Sequence, residues 1–232
     1  GTISLSLSTI TYPQKLKLTV STQSANAPLA RNSWEFWVYP AEVIMPETAC
    51  IHITDTLDEV AKKVLADGGK VLIEAAGKVR FGNDIKQNYL PIFWNTSWFK
   101  MRPPHTTGSY IANDHPLFRS FPTDNWSNLN WWELLNKAQV MNLSEFPASY
   151  QSPIQTIDTW HISRKIGMLV EANVGKGKLL MTTMDISRNL DKRPVARQMR
   201  KAILEYMNGN DFNPQLSIDN QLITNLFENE AP

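Results

Sequence analysis

The sequence predicts an α/β fold, a mostly parallel sheet with flanking helices, preceded by a few antiparallel strands. Three observations carry that expectation. The segment 50-CIHIT-54, an amphipathic stretch 56-TLDEVAKKVLADGG-69 and the apolar run 70-KVLIEA-75 form a strand–helix–strand unit, which requires a parallel pairing. A long amphipathic helix follows late in the chain at 194-PVARQMRKAILEYMNG-209. The first forty residues instead alternate with period two, the mark of half-buried antiparallel strands.

Taken in order, Ile3, Leu5 and Leu7 alternate with serines, and Leu16, Leu18 and Val20 alternate with Lys15, Lys17 and Thr19. A loop around Asn26–Pro28 leads to a third strand, 34-WEFWVYP-40. Three such strands do not make a stable sandwich alone, so residues 1–40 read as the terminal strands of a β-sandwich or a docked β segment. In the first helix Thr56 and Glu59 have capping-box spacing and Gly68 marks the stop. Leu57, Val60, Ala61, Val64 and Leu65 supply its apolar stripe. Residues 77–152 are irregular, with only short helical pieces, one of them 131-WWELLNKA-138, whose cap pattern is Asn130 and Glu133. The strands 166-IGMLVEANV-174 and 177-GKLLMTTMD-185 flank Gly175 and Lys176 as a hairpin. In the last helix Pro194 sits at the first turn, Val195, Met199, Ile203 and Met207 face inward, and Arg197, Arg200 and Lys201 face water. The α/β unit is thus expected over 41–210, with a polar tail at 211–232.

Composition narrows the function classes. A net charge of +1 without a basic block gives no footprint for nucleic acid. No run reaches the ~20 apolar residues of a membrane span. The single cysteine, Cys50, excludes an intrachain disulfide and a multi-cysteine zinc site. The opening Gly1-Thr2-Ile3 reads as the scar of a cleaved tag, and the chain as a piece of a longer protein. His52, His105, His115 and His161 show no metal-ligand spacing, and no cofactor motif is present: Gly175-Lys176-Gly177 joins two strands and does not open a helix. Cys50 lies within the strand, two residues from His52, without the glycine-flanked elbow that activates a nucleophile. A glycosidase needs two carboxylates about 5 to 10 Å apart. Glu74, Asp114, Glu133, Asp158, Glu171 and Asp185 are available, but spacing alone pairs none of them.

Tryptophan is the anomaly, eight in 232 residues. Trp131, Leu134, Leu135 and Ala138 fall at i, i+3, i+4 and i+7, which turns Trp131 to the core. Trp132 lies about 100° round the helix and Trp126 in the preceding loop. These two are the candidate ligand-binding residues, since an exposed indole stacks on the apolar face of a sugar ring; no catalytic or metal-binding residue is assigned.

Several blocks together resemble one known place: NSWEFWVYP (32–40), HPLFRSFPT (115–123), NWWELL (130–135), PIQTID-W (153–160), G-LVEA-VGKGKLL (167–180) and RPVARQMRKAILEYM (193–207). They look like the C-terminal region of bacterial glycoside hydrolases of family 2, the β-galactosidase-like group. The resemblance implies an immunoglobulin-like sandwich ending near Pro40, then a flavodoxin-like domain similar to class I glutamine amidotransferases and to β-galactosidase trimerisation domains. It implies that the catalytic glutamates lie in an upstream barrel and that Cys50 is outside the amidotransferase elbow. The expected function is a non-catalytic accessory region in carbohydrate degradation, supporting domain packing or oligomerisation. Its implied partners are the upstream barrel and sandwich, and its implied setting the periplasm or cell envelope. A carbohydrate-binding module using Trp126 and Trp132, and a Cys-dependent amidotransferase-type hydrolase, remain as alternatives, with carbohydrate or a second copy of the chain as further partners.

Overall fold

The computed structural model describes residues 2–24, 27–85, 87, 89, 106–159 and 162–229. The expected loop at Asn26, and His105 and His161, lie outside them. Strands β1 (Gln14–Ser24) and β2 (Ala27–Val38) pair antiparallel with Leu16 opposite Phe36. The two later strands expected in this region are therefore this single hairpin. The strand expected at Ile3–Leu7 does not form: these residues are exposed and carry no ladder. Alternation alone is insufficient there, because a strand without a neighbour leaves its peptide groups to water. The hairpin is tied down at its foot. Lys15 Nζ bonds Asp124 Oδ1 at 3.0 Å, Tyr39 Oη donates to Asn130 Oδ1 at 2.5 Å, and Val38 is buried.

The strand–helix–strand unit is present as β3 (Ile51–Thr54), α1 (Glu59–Ala66) and β4 (Lys70–Glu74), with β3 and β4 parallel. The cap is Asp58, whose Oδ1 accepts from Ala61 N at 2.7 Å, in place of Thr56. Glu59 pairs with Lys62 at 2.8 Å and so does not complete a capping box. Val60 leaves the expected apolar stripe and is exposed, while Ala61 and Leu65 are buried.

After this unit come β5 (Ser109–Ile111), a 3₁₀ turn Pro116–Phe118, a second 3₁₀ turn Leu129–Trp131 running into α2 (Trp132–Leu135), β6 (Met141–Asn142) and β7 (Ile154–Thr156). The start of the second turn is capped by Asn128, whose Oδ1 accepts from Asn130 N, and not by Asn130. The segment read as one strand from Ile166 divides into β8 (Ile166–Gly167), paired with β6, and β9 (Leu169–Val174), paired with β10 (Gly177–Thr182). Gly175, at φ +60°, makes the tight turn that only a residue tolerant of left-handed backbone makes cheaply. Gly177 admits α1: a Cβ there would lie 2.6 Å from Gly69 O and 2.7 Å from Leu65 Cα. Helix α3 spans Pro194–Asn208.

The segment expected to be a polar tail instead carries β11 (Ser217–Ile218) and α4 (Asn220–Glu228), capped by Asp219 and burying Ile223 and Leu226. Leu222, Ile223, Leu226 and Phe227 fall at i, i+1, i+4 and i+5, a short amphipathic pattern that the polar flanks of the segment obscure.

The main sheet has the order β11-β9-β10-β4-β3 and is mixed: β9 and β10 are antiparallel, the other three pairs parallel. Strand alternation distributes its residues to two cores. Leu72 and Leu180 join Trp131, Met199, Ile203 and Met207 beneath α2 and α3. Val71, Ile73, Leu179 and Met181 join Ala61, Leu65, Ile223 and Leu226 beneath α1 and α4. The result is three layers, helices on both faces of one sheet. Among the described residues no helix is long and apolar enough to cross a membrane.

Candidate functional site

Beside the main sheet, β5 and β7 form a small antiparallel pair in which Tyr110 lies opposite Gln155. On its other side Tyr110 is bridged to Trp126, flanked by Ile111 N to Asn125 O at 3.1 Å and Ser127 N to Ser109 O at 2.9 Å. Tyr110 and Trp126 are thus a non-hydrogen-bonded pair, the kind whose side chains approach most closely. Residues directly opposite share a face, so Trp126, Tyr110 and Gln155 stand in one row. Ser109 and Ile111 point the other way and are buried. Trp126 remains 55% exposed and Tyr110 46%. An indole and a phenol therefore line up at the surface beside the partly buried amide of Gln155, two apolar plates next to a group that both donates and accepts.

The row borders a cavity of about 520 Å³ lined by Tyr110, Ala112, Asp114, His115, Pro153 and Glu171, among others. Asp114 is exposed at its mouth. Inside, His115 Nε2 lies 3.3 Å from Glu171 Oε1, and Tyr206 Oη donates to Glu171 Oε2 at 2.8 Å. Leu117 N donates to His115 Nδ1 at 3.3 Å, which fixes Nε2 as the protonated nitrogen of the neutral ring. Burial, reinforced by the Glu171 charge, pushes the Tyr206 hydroxyl far above its ordinary range, so it stays a proton donor. Burial likewise raises Tyr150, whose oxygen accepts from Glu171 N at 3.2 Å. Both imidazole nitrogens and both carboxylate oxygens are committed. The network holds α3 against β9 and gives each carboxylate oxygen and each imidazole nitrogen a hydrogen-bond partner.

Four of the other candidate carboxylates are similarly engaged, Asp114 being the exception. Glu74 pairs with Arg200 and Asp158 with Arg164 (2.9 Å). Asp185 pairs with Arg188 (2.8 Å) and Arg193 (3.3 Å). Glu133 pairs with Arg193 at 3.3 Å and accepts from Ala196 N at 3.1 Å, capping α3 and not its own helix. Burial acts against the Asp158 charge, but bonds from the Arg164 side chain and from the Arg164 and Thr159 backbone outweigh it and hold the carboxyl low. Among the described residues no cluster of His, Cys, Asp and Glu could hold a metal ion.

Of the residues singled out from sequence, Trp131 is fully buried, its Nε1 donating to Thr123 Oγ1 at 2.9 Å. Trp126 belongs to the row. Trp132 is half exposed on α2 and is not a member of it. Cys50 is free and exposed, one residue before β3 and not within it, in a turn closed by Ile51 N to Thr48 O. Its neighbour His52 turns Nε2 towards Asp58 Oδ1, at 4.0 Å. Tyr110 and Gln155 escaped the sequence reading because strands of three residues are shorter than any periodicity window; the only signal was the isolated alternation Ser109-Tyr110-Ile111.

A family profile described as Domain of unknown function (DUF8487) matches residues 52–228, more than half the chain. The chain belongs to this family. The DUF8487 match takes in the row, the cavity and α4. A second profile, Domain of unknown function (DUF8488), matches residues 1–40 and so covers the hairpin. No curated protein gives a match.

Proposed function

We propose that this chain is a non-catalytic, carbohydrate-binding accessory unit of a glycoside hydrolase of the β-galactosidase-like family 2 group. The row Trp126–Tyr110–Gln155, with its two aromatic members exposed, carries the reading. A pyranose presents C–H groups on its faces and hydroxyls on its rim. The two aromatic plates suit the faces, and Gln155 and Asp114 suit the hydroxyls. Commitment of Glu74, Glu133, Asp158, Glu171 and Asp185 to ion pairs or hydrogen bonds supports the non-catalytic part. The exposed Leu18, Val20 and Trp34 of the hairpin favour a packing role as well, against an upstream β-sandwich. The parallel β3–β4 and β4–β10 pairs with helices on both faces support a flavodoxin-like, amidotransferase-like ancestry for residues 41–210. Cys50, in its exposed turn, gives no support to a cysteine hydrolase.

The test is calorimetric titration with galacto-oligosaccharides and, as controls, other neutral oligosaccharides. Trp126→Ala and Tyr110→Ala are each expected to weaken binding at least tenfold, about 1.4 kcal/mol, while Trp132→Ala leaves it unchanged. The protein is expected not to hydrolyse aryl β-glycosides. Absence of saturable binding at millimolar sugar, or loss only with Trp132→Ala, removes the row from the function.

A further inference from the structure

A second cavity, of about 660 Å³, lies where the parallel strands β4 and β10 end, and it is lined by residues that follow each of them, Gly77 to Arg80 after β4 and Thr183 and Asp185 after β10. The carboxyl ends of adjacent parallel strands are where open α/β sheets leave a crevice for ligands, and the volume suits a small molecule. Its lining is strongly one-sided in charge for a chain whose net charge is only +1. Lys78, Arg80, Lys137, Arg188 and Arg193 face two carboxylates, Glu133 and Asp185, so five cations against two anions leave a formal excess of three. The two carboxylates are consumed by Arg188 and Arg193, and Lys78 pairs with Asp55 at 3.2 Å. Arg80 and Lys137 form no ion pair with any described residue.

An independent observation points into the same cavity. Thr183 lines it, is 2% exposed, and its Oγ1 has no hydrogen-bond partner among the described residues. A buried hydroxyl left unpaired is costly and rare in folded proteins. A ligand oxygen seated between Thr183 and the two free cations would satisfy it.

We propose that this cleft is a binding site for a small oxyanion, with Arg80 and Lys137 supplying charge and the Thr183 hydroxyl a hydrogen bond. The ligand class is a carboxylate, sulfate or phosphate group carried by a small molecule; the site is independent of the aromatic row.

The experiment is titration of the intact chain with sodium phosphate, sodium sulfate and sodium glucuronate in separate arms, followed by calorimetry or by amide shifts of residues 76–80 and 183–188. Saturable binding of at least one probe in the millimolar range or tighter is expected, weakening as ionic strength rises; the arm that binds best identifies the oxyanion. Arg80→Ala with Lys137→Ala is expected to lower affinity at least tenfold. Thr183→Val keeps the side-chain shape and removes the orphaned hydroxyl. It is expected to lower affinity several-fold while leaving the melting temperature equal or higher, a combination that a purely structural threonine does not produce. Unchanged galacto-oligosaccharide affinity in these variants separates this site from the row. The proposal falls if none of the probes binds at 10 mM, or if binding survives both the double variant and Thr183→Val.

Discussion

Replacing Trp131 with alanine separates the part of the tryptophan cluster that builds the fold from the part free to meet a ligand. Trp131 is fully buried, with ring centroids 5.1 Å from Phe121 and 5.9 Å from Phe118, both edge to face. An indole hides about 150 to 250 Å², which at ~25 cal/mol per Å² corresponds to roughly 4 to 6 kcal/mol. Alanine keeps a little of that, and the extended-chain reference overstates burial by about 10–40%. Against this, the aromatic pairs and the bond to Thr123 Oγ1 are lost, each about 1 kcal/mol. The expected cost is therefore about 3 to 5 kcal/mol, the range for large aromatics removed from cores. Trp132, half exposed on the same short helix, should cost about 1 to 2 kcal/mol on the same area scale. Urea denaturation followed by circular dichroism reads both. Trp131→Phe, which keeps most of the volume and loses the Thr123 bond, provides a folded comparison if alanine is not tolerated. Equal losses for Trp131→Ala and Trp132→Ala, or a loss under 1 kcal/mol for Trp131→Ala, would refute the assignment of Trp131 to the core.

Glu133→Ala should destabilise the protein by about 1 kcal/mol through loss of the cap on α3, and Glu133→Gln should restore most of it because the amide oxygen still accepts from Ala196 N; thermal melting distinguishes the two. Asp158 is held below its unfolded pKa of about 3.9, so its contribution is complete above pH ~4 and is lost as pH falls through the lower folded value. Asp158→Asn should be less stable than the parent at neutral pH, and the gap should close on acidification; a gap that stays constant down to pH 2 contradicts the linkage. Gly177→Ala should cost about 1 to 3 kcal/mol in a melt, since its Cβ would press on backbone atoms of α1 that have no side-chain freedom to yield.

The main helices and strands were legible because their signals are long and redundant. Helix α3 announces itself by Pro194 and four inward residues over four turns, and the β9–β10 hairpin by continuous apolar runs around Gly175. Sheet direction was partly legible: the strand–helix–strand unit dictates parallel β3 and β4 and the tight Gly175 turn dictates antiparallel β9 and β10, but nothing local says that β10 runs with β4 or β11 with β9. The caps show a second limit. Asp58 and Asn128 are both cap-forming residue types, yet the neighbouring Thr56–Glu59 and Asn130–Glu133 spacings match the capping box better. In the folded chain Glu59 is taken by Lys62, and Glu133 by a helix more than sixty residues away in sequence. The candidate site was half legible. Trp126 stands out as an indole in a loop, whereas Tyr110 and Gln155 acquire meaning only once three short segments are brought side by side.

That difference follows from what each kind of residue must do. A core residue is specified by its own segment, because the periodicity that buries it is written in its neighbours along the chain. A surface row is specified across segments, because Trp126, Tyr110 and Gln155 come from three separate stretches joined by backbone ladders. The same reasoning bears on catalysis. The strongly perturbed tyrosines, Tyr39, Tyr150 and Tyr206, are raised chiefly by burial and act as neutral hydrogen-bond groups within the packing. Asp158 and Asp185 are held low by arginines and backbone N–H groups, despite burial that opposes the charge. Catalytic acids and bases require the opposite arrangement, a displaced pKa on a group with a lone pair or proton free to face a substrate. Tyr39 spends its hydroxyl on Asn130, Tyr150 and Tyr206 spend theirs on Glu171, and Asp158 and Asp185 spend their oxygens on arginines. Gln155 and Asp114 near the aromatic row, and Arg80 and Lys137 in the cleft, have no side-chain hydrogen bond or ion pair with any described residue, and in the function and the oxyanion site proposed above they are the groups that meet a ligand.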